Sequence, residues 1–151
     1  MTEERQCFVR CTMRCLKYIL FNAGLLVLIA FFAWGDELKE KRIVATVDPD
    51  GIQHVDILGG GYYFDPNIIV VKVNVPVELR VKKAGGITPH DIVLKAPDAG
   101  INFAEKLSSE PKVIKFTPTK AGKYSFECTE RLLFFKSHRD QGMHGLLEVV
   151  E

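Results

Sequence analysis

The chain has 151 residues and a formal net charge of +1, enough for one domain with a real hydrophobic core and too short for two comfortable ones. The balance of charge argues against a nucleic-acid partner, which calls for a basic excess. The composition is that of a globular protein, not a disordered or fibrous one, and no tandem repeat is present at solenoid or propeller periods.

The first 35 residues differ in kind from the rest. Arg5, Arg10, Arg14 and Lys17 give a basic start, and the 17 residues from Tyr18 to Trp34 then carry no charge. Ala33-Trp34-Gly35 places small residues at the two positions a signal peptidase reads, just before Asp36. A secretory signal, or leader helix, is therefore expected over 1–35, with an exported, periplasmic domain over 36–151. An uncleaved anchor in the inner membrane is the rival reading, since a bilayer span needs roughly 17–25 apolar residues. Membrane contact is expected only through residues 18–34. Four of the 20 basic and two of the 19 acidic residues lie in the leader, so residues 36–151 carry a formal charge of −1. Cys7, Cys11 and Cys15 lie there too. Their spacing has no accompanying histidine and is not read as a metal motif.

Beyond the leader the signals are for strands. Ile43 to Val47 is a β-branched run, followed by the turn residues Asp48-Pro49-Asp50-Gly51. Ile52 to Leu58 forms a returning strand that Gly59-Gly60-Gly61 ends. Tyr62-Tyr63-Phe64 leads through Asp65-Pro66-Asn67 into a buried strand over Ile68 to Val73. Val77, Leu79 and Val81 alternate with Glu78 and Arg80, the period of a half-buried strand. His90 opens a further strand through Leu94. Ala99 to Ser108 is ambiguous between a short helix and an irregular crossover. Val113 to Phe116, Lys123 to Cys128 and Gly145 to Glu151 complete an all-β set, which points to a sandwich or barrel.

The chemistry starts at Cys128, the single thiol of residues 36–151. Strand alternation puts it on the face of Tyr124 and Phe126. A buried inert thiol is the plain alternative to a metal thiolate. Cys128 is followed by His138 and Met143, however. A thiolate, an imidazole and a thioether close together suit copper in both its oxidation states. His90, after Pro89, supplies the further imidazole that a trigonal two-histidine, one-cysteine set with a distant methionine requires. His144 competes for the second imidazole or for the axial place. His54, far upstream, reads as an ordinary surface histidine.

From Tyr63 to the C-terminus the sequence resembles the cupredoxins. Tyr63-Phe64-Asp65-Pro66-Asn67-Ile68-Ile69-Val70 is similar to an early segment of that family, and Pro89-His90-Asp91-Ile92 to its first-ligand segment. Gly122-Lys123-Tyr124-Ser125-Phe126-Glu127-Cys128 resembles its penultimate strand, and Met143-His144-Gly145-Leu146-Leu147-Glu148-Val149 its exit from the ligand loop. The resemblance implies a Greek-key β-sandwich or barrel and one mononuclear copper, with His90, Cys128, His138 and Met143 as ligands. The four residues between His138 and Met143 match the spacing in plastocyanins. Two features depart from the pattern. Nine residues separate Cys128 from His138, longer than in small blue copper proteins and nearer the dinuclear domain of cytochrome oxidase subunit II. That centre needs a second cysteine four residues on, where this chain has Leu132. Asp91 stands where many members carry an Asn that ties the ligand loops, which alters the tuning expected from groups behind the ligands.

Leu132-Leu133-Phe134-Phe135 lies inside the ligand loop. It either folds down to cap the core or stays exposed as a docking patch for a redox partner. Arg131, Lys136 and Arg139 would turn such a patch toward acidic partners. One-electron transfer is the leading expectation. It needs no substrate pocket or acid–base pair, and none is recognisable, so no enzyme activity and no catalytic residues are expected. Copper resistance, storage or delivery is the alternative, with the same ligands in a more exchangeable site.

Overall fold

Alternating β-branched and aromatic residues decide the architecture of residues 40–151, the part that the computed structural model describes. The leader over 1–35 lies outside the described residues. Ten strands follow one another: β1 (Arg42–Val44), β2 (Gln53–Gly60), β3 (Tyr63–Asp65), β4 (Ile68–Lys72), β5 (Val77–Lys83), β6 (Asp91–Ala96), β7 (Ile101–Lys106), β8 (Lys112–Phe116), β9 (Gly122–Glu127) and β10 (His144–Val150). They form a six-stranded sheet, ordered β1-β4-β10-β9-β6-β7, and a four-stranded sheet, ordered β3-β2-β5-β8. Among the described residues no helix is long and apolar enough to cross a membrane.

The burial follows the sequence periods. In β5, Val77, Leu79 and Val81 are buried while Arg80 and Lys82 face water. In β4, Ile69, Val70 and Val71 are buried in succession. That strand runs parallel to both its neighbours, β1 and β10, and a strand covered on both faces needs no alternation. Aromatic pairs join the two sheets. Phe64 of β3 stands edge-to-face on Phe126 of β9 at 5.3 Å, and Phe103 of β7 meets Phe116 of β8 at 5.7 Å. Gln53, fully buried, accepts the N–H of Lys72 and donates to the carbonyls of Lys72 and Val75. Its amide is thereby satisfied, as a buried polar group must be.

Most strands shift by a residue or more from the sequence reading, β1 stopping at Val44 and β9 at Glu127, and three differences matter more. The ambiguous stretch is neither helix nor crossover: a short turn over Pro97–Ala99 leads into β7, antiparallel to β6. Only Ile101 and Phe103 face the core there, so two inward residues carry the whole strand signal. His90 lies just before β6, not within it, and β2 runs on through Gly59 and Gly60. A two-residue turn, Gly61 and Tyr62, then joins β2 to β3 with positive φ at both positions (57° and 65°). Such turns match the twist of the flanking strands. For a bulky residue like Tyr62 the left-handed backbone costs about 1–2 kcal/mol.

Candidate metal centre

Strand order and direction bring the candidate ligands to one end of the six-stranded sheet. β9 lies between β10 and β6 and is antiparallel to both. The end of β9 therefore meets the starts of β6 and β10. Cys128 follows β9, His90 precedes β6 and Met143 precedes β10. His138 comes from the loop between β9 and β10.

The geometry is that of a closed triangle. His90 Nδ1 lies 3.1 Å from His138 Nδ1, and Cys128 Sγ lies 3.4 Å from His138 Nδ1 and 3.9 Å from His90 Nδ1. The point equidistant from these three atoms is about 2 Å from each, close to the metal–nitrogen length and slightly inside the metal–thiolate length of a first-row ion. All three residues are buried, as is Met143. His138 Nε2 is buried without a hydrogen-bond partner, so this imidazole is held by its Nδ1 side and its packing. Two imidazoles and one thiolate, with a thioether alongside, form the set that suits a trigonal copper site. The residues present therefore fit one copper ion.

Backbone bonds fix the frame. The N–H of Leu107 donates to the carbonyl of His90, and that of Cys128 to the carbonyl of Met143. After His138 a short turn over Arg139–Gln141 ends at Gly142, whose φ of 106° suits glycine. The chain thus reverses, and the N–H of Met143 reaches the carbonyl of His138 at 2.9 Å. Gly145, beside Phe126 in the β9–β10 register, has no room for a side chain. A Cβ there would sit 2.2 Å from the Phe126 ring and 2.6 Å from the carbonyl of Asn67.

Asp91 links the ligand segments. Its backbone N–H donates to Cys128 Sγ at 3.5 Å. Its carboxylate accepts the N–H of Thr129 at 2.6 Å and the Thr129 hydroxyl as well. The aspartate thus ties the two loops through acceptor oxygens alone. Burial pushes the Cys128 thiol up to about 11, against a smaller opposing pull from the Asp91 backbone N–H. Burial, helped by the neighbouring His138, holds His90 below its ordinary value. Without metal the site thus favours neutral side chains at both positions. A bound cation would reverse that preference at the sulfur, because the thiolate is the ligand form.

The remaining candidates lie elsewhere. His144 is exposed at the start of β10 and is not part of the triangle. His54, on β2, pairs with Asp50 at 2.9 Å and Glu78 at 3.8 Å. Leu132, Leu133, Phe134 and Phe135 are all exposed, with Phe134 fully so, and they do not cap the core. One neighbour of the site escapes sequence reasoning. The Tyr62 ring lies edge-on to both His90 and His138. The glycines before it mark a turn, but nothing in the sequence points that turn at the ligands.

No protein-family model matches this chain, and no curated protein sequence does. Solved structures do. The metal binding domain of the Cu(I) exporting P-type ATPase CopA of Streptococcus pneumoniae D39 is 23% identical, with a TM-score of 0.57 over 75% of this chain and 99% of that one. A copper binding protein solved by NMR in the apo form is 26% identical, with a TM-score of 0.54 over 73% of this chain and 98% of that one. Dithionite-reduced auracyanin from the photosynthetic bacterium Roseiflexus castenholzii is 18% identical, with a TM-score of 0.54 over 71% and 99%.

Proposed function

We propose that this chain, a cupredoxin by fold, holds one copper ion between His90, Cys128, His138 and Met143 and passes single electrons outside the cytoplasm. The observation that carries this reading is the buried triangle of two Nδ1 atoms and one Sγ, with sides of 3.1, 3.4 and 3.9 Å. Bound there, copper supplies a one-electron couple in a site suited to both its oxidation states.

The chain's own residues do the rest. Cys128 gives up its proton and offers a thiolate, and the Asp91 N–H donates to that sulfur. Such a bond, with the burial of the sulfur, tunes the potential. His90 and His138 would present their Nδ1 atoms to the ion. Asp91 keeps the two ligand loops in register, and burial of all four side chains excludes water. The exposed Leu132–Phe135 segment, flanked by Arg131, Lys136 and Arg139, is suited to dock an acidic redox partner. The basic and then apolar residues 1–35 support export to the periplasm, with cleavage or anchorage as the two forms of it.

A second reading, copper storage, delivery or resistance, uses the same residues, and the likeness to a 26% identical copper binding protein is compatible with it. Burial of all four side chains weighs the other way, since rapid hand-over requires an accessible ion. Adding Cu(II) to the full chain tests both. The carrier reading expects an intense thiolate-to-copper absorption band and reversible one-electron cycling. A folded, copper-loaded sample without the band contradicts it, and rapid loss of copper to a chelator supports delivery.

A further inference from the structure

The turn between β2 and β3 holds Tyr62 at φ 65°. Glycine or asparagine is at home in that conformation and a bulky aromatic is not. The turn itself gains nothing from a tyrosine. What the ring reaches lies at the end of the other sheet. Its centroid is 5.0 Å from that of His138, with the planes at 71°, and 6.1 Å from that of His90, with the planes at 87°. Both are the edge-to-face arrangement that aromatic rings favour. Tyr62 is half-buried and packs at the margin of the core, while both imidazoles beneath it are buried. One side chain from a turn of the four-stranded sheet thus stands edge-on to both candidate imidazoles, which lie at the end of the six-stranded one.

We propose that Tyr62 is a positioning residue of the metal centre. It holds the His90 and His138 rings at the angle that turns both Nδ1 atoms toward one point, and it closes that point to water and to small reagents. Its purpose rests on the copper reading above, but the closure belongs to the metal-free protein and is measured there. The left-handed backbone at Tyr62 is then explained: strain at a turn persists where the surroundings over-determine it, and such positions cluster at functional sites.

The test compares the full chain with Tyr62→Phe and Tyr62→Gly. Glycine is at home at this φ, so Tyr62→Gly removes the ring without burdening the turn. Tyr62→Asn, tolerated in the same region, carries the comparison if the glycine variant melts earlier. The first readout is the rate at which a small alkylating reagent modifies Cys128 in metal-free protein, followed by peptide mass so that Cys7, Cys11 and Cys15 are counted apart. Loss of the ring should raise that rate about tenfold by local opening, with the phenylalanine variant close to wild type. The second readout is copper transfer from loaded protein to a chelator, with the same order of variants. Equal Cys128 modification in all chains overturns the proposal, as does a phenylalanine variant as open as the glycine one. A wild-type chain that takes up no copper overturns the copper reading instead, while the first readout still decides the role of Tyr62.

Discussion

The backbone N–H of His138 donates to the carbonyl of Glu130 at 3.0 Å, and this one bond closes the base of the long ligand loop. Residues 131–137 project beyond it, with a turn bond from the N–H of Phe135 to the carbonyl of Leu132 at the tip. The extra length between Cys128 and His138 therefore leaves the site as a finger and does not spread the ligands. The Cys128 Sγ to His138 Nδ1 distance stays at 3.4 Å. Glu127, at the end of β9, adds a surface ion pair with Arg139, the residue after His138, at 2.7 Å.

The finger can consequently be altered without touching the candidate metal centre. Leu133, at φ 48°, should accept asparagine with no loss of stability, since that residue tolerates the left-handed region. Together with Phe134→Ser it should leave the melting temperature and the copper absorption unchanged, because surface changes stay within about 0.5 kcal/mol. Electron exchange with an acidic redox protein should fall about tenfold, the effect of losing an apolar anchor. Exchange with a small inorganic oxidant should not change. Equal slowing with both oxidants would place the effect at the site and not at the surface.

Asp91 is expected to matter more than its partial exposure suggests. Removing its carboxylate in Asp91→Ala frees both Thr129 donors, and hydrogen bonds to a charged acceptor contribute about 1.5–3 kcal/mol. The unfolding midpoint in urea should drop accordingly, and the absorption band should shift as the Cys128 loop loosens. Asp91→Asn keeps one acceptor oxygen and should fall between. An alanine variant within about 0.5 kcal/mol of wild type would show that the tie carries no energy.

Two of the candidate ligands, Cys128 and His90, bracket the stability of the metal-free protein. The Cys128 thiol is raised from 9.0 to about 11. Its contribution is complete below pH 9 and is lost as pH rises toward 11, by up to about 2–3 kcal/mol. His90 is lowered from 6.5, so its contribution is complete above pH 6.5 and is lost as pH falls further. Thermal melts across pH should show a plateau between these limits. Cys128→Ser should flatten the alkaline limb and His90→Gln the acid one. An alkaline limb of undiminished depth in Cys128→Ser would remove the thiol as its cause.

Much of the centre is legible in the sequence because it depends on spacing along strands. Alternation through Tyr124, Phe126 and Cys128 puts the thiol on the core side, and the four residues from His138 to Met143 match one short turn closed by Gly142. The strand Ile101–Lys106 is harder to read, since only Ile101 and Phe103 mark its buried face. The exposure of His144 follows from alternation in β10, where Gly145, Leu147 and Val149 face inward, whereas the burial of His138 goes with a loop closed by the Glu130–His138 backbone bond, which leaves no mark on residue choice. Tyr62 is illegible for another reason. It reaches the ligands from the opposite sheet, through a turn whose direction only the packed sandwich decides.

The central claim is that His138, and not His144, completes a one-copper site with His90, Cys128 and Met143. The most direct measurement is a Cu(II) titration of the full chain followed at the thiolate-to-copper band, repeated for His138→Ala, His144→Ala and Cys128→Ser. The band should saturate at one equivalent in wild type, persist in His144→Ala and vanish in both His138→Ala and Cys128→Ser. A band that survives the loss of His138 and disappears with His144 would contradict the account.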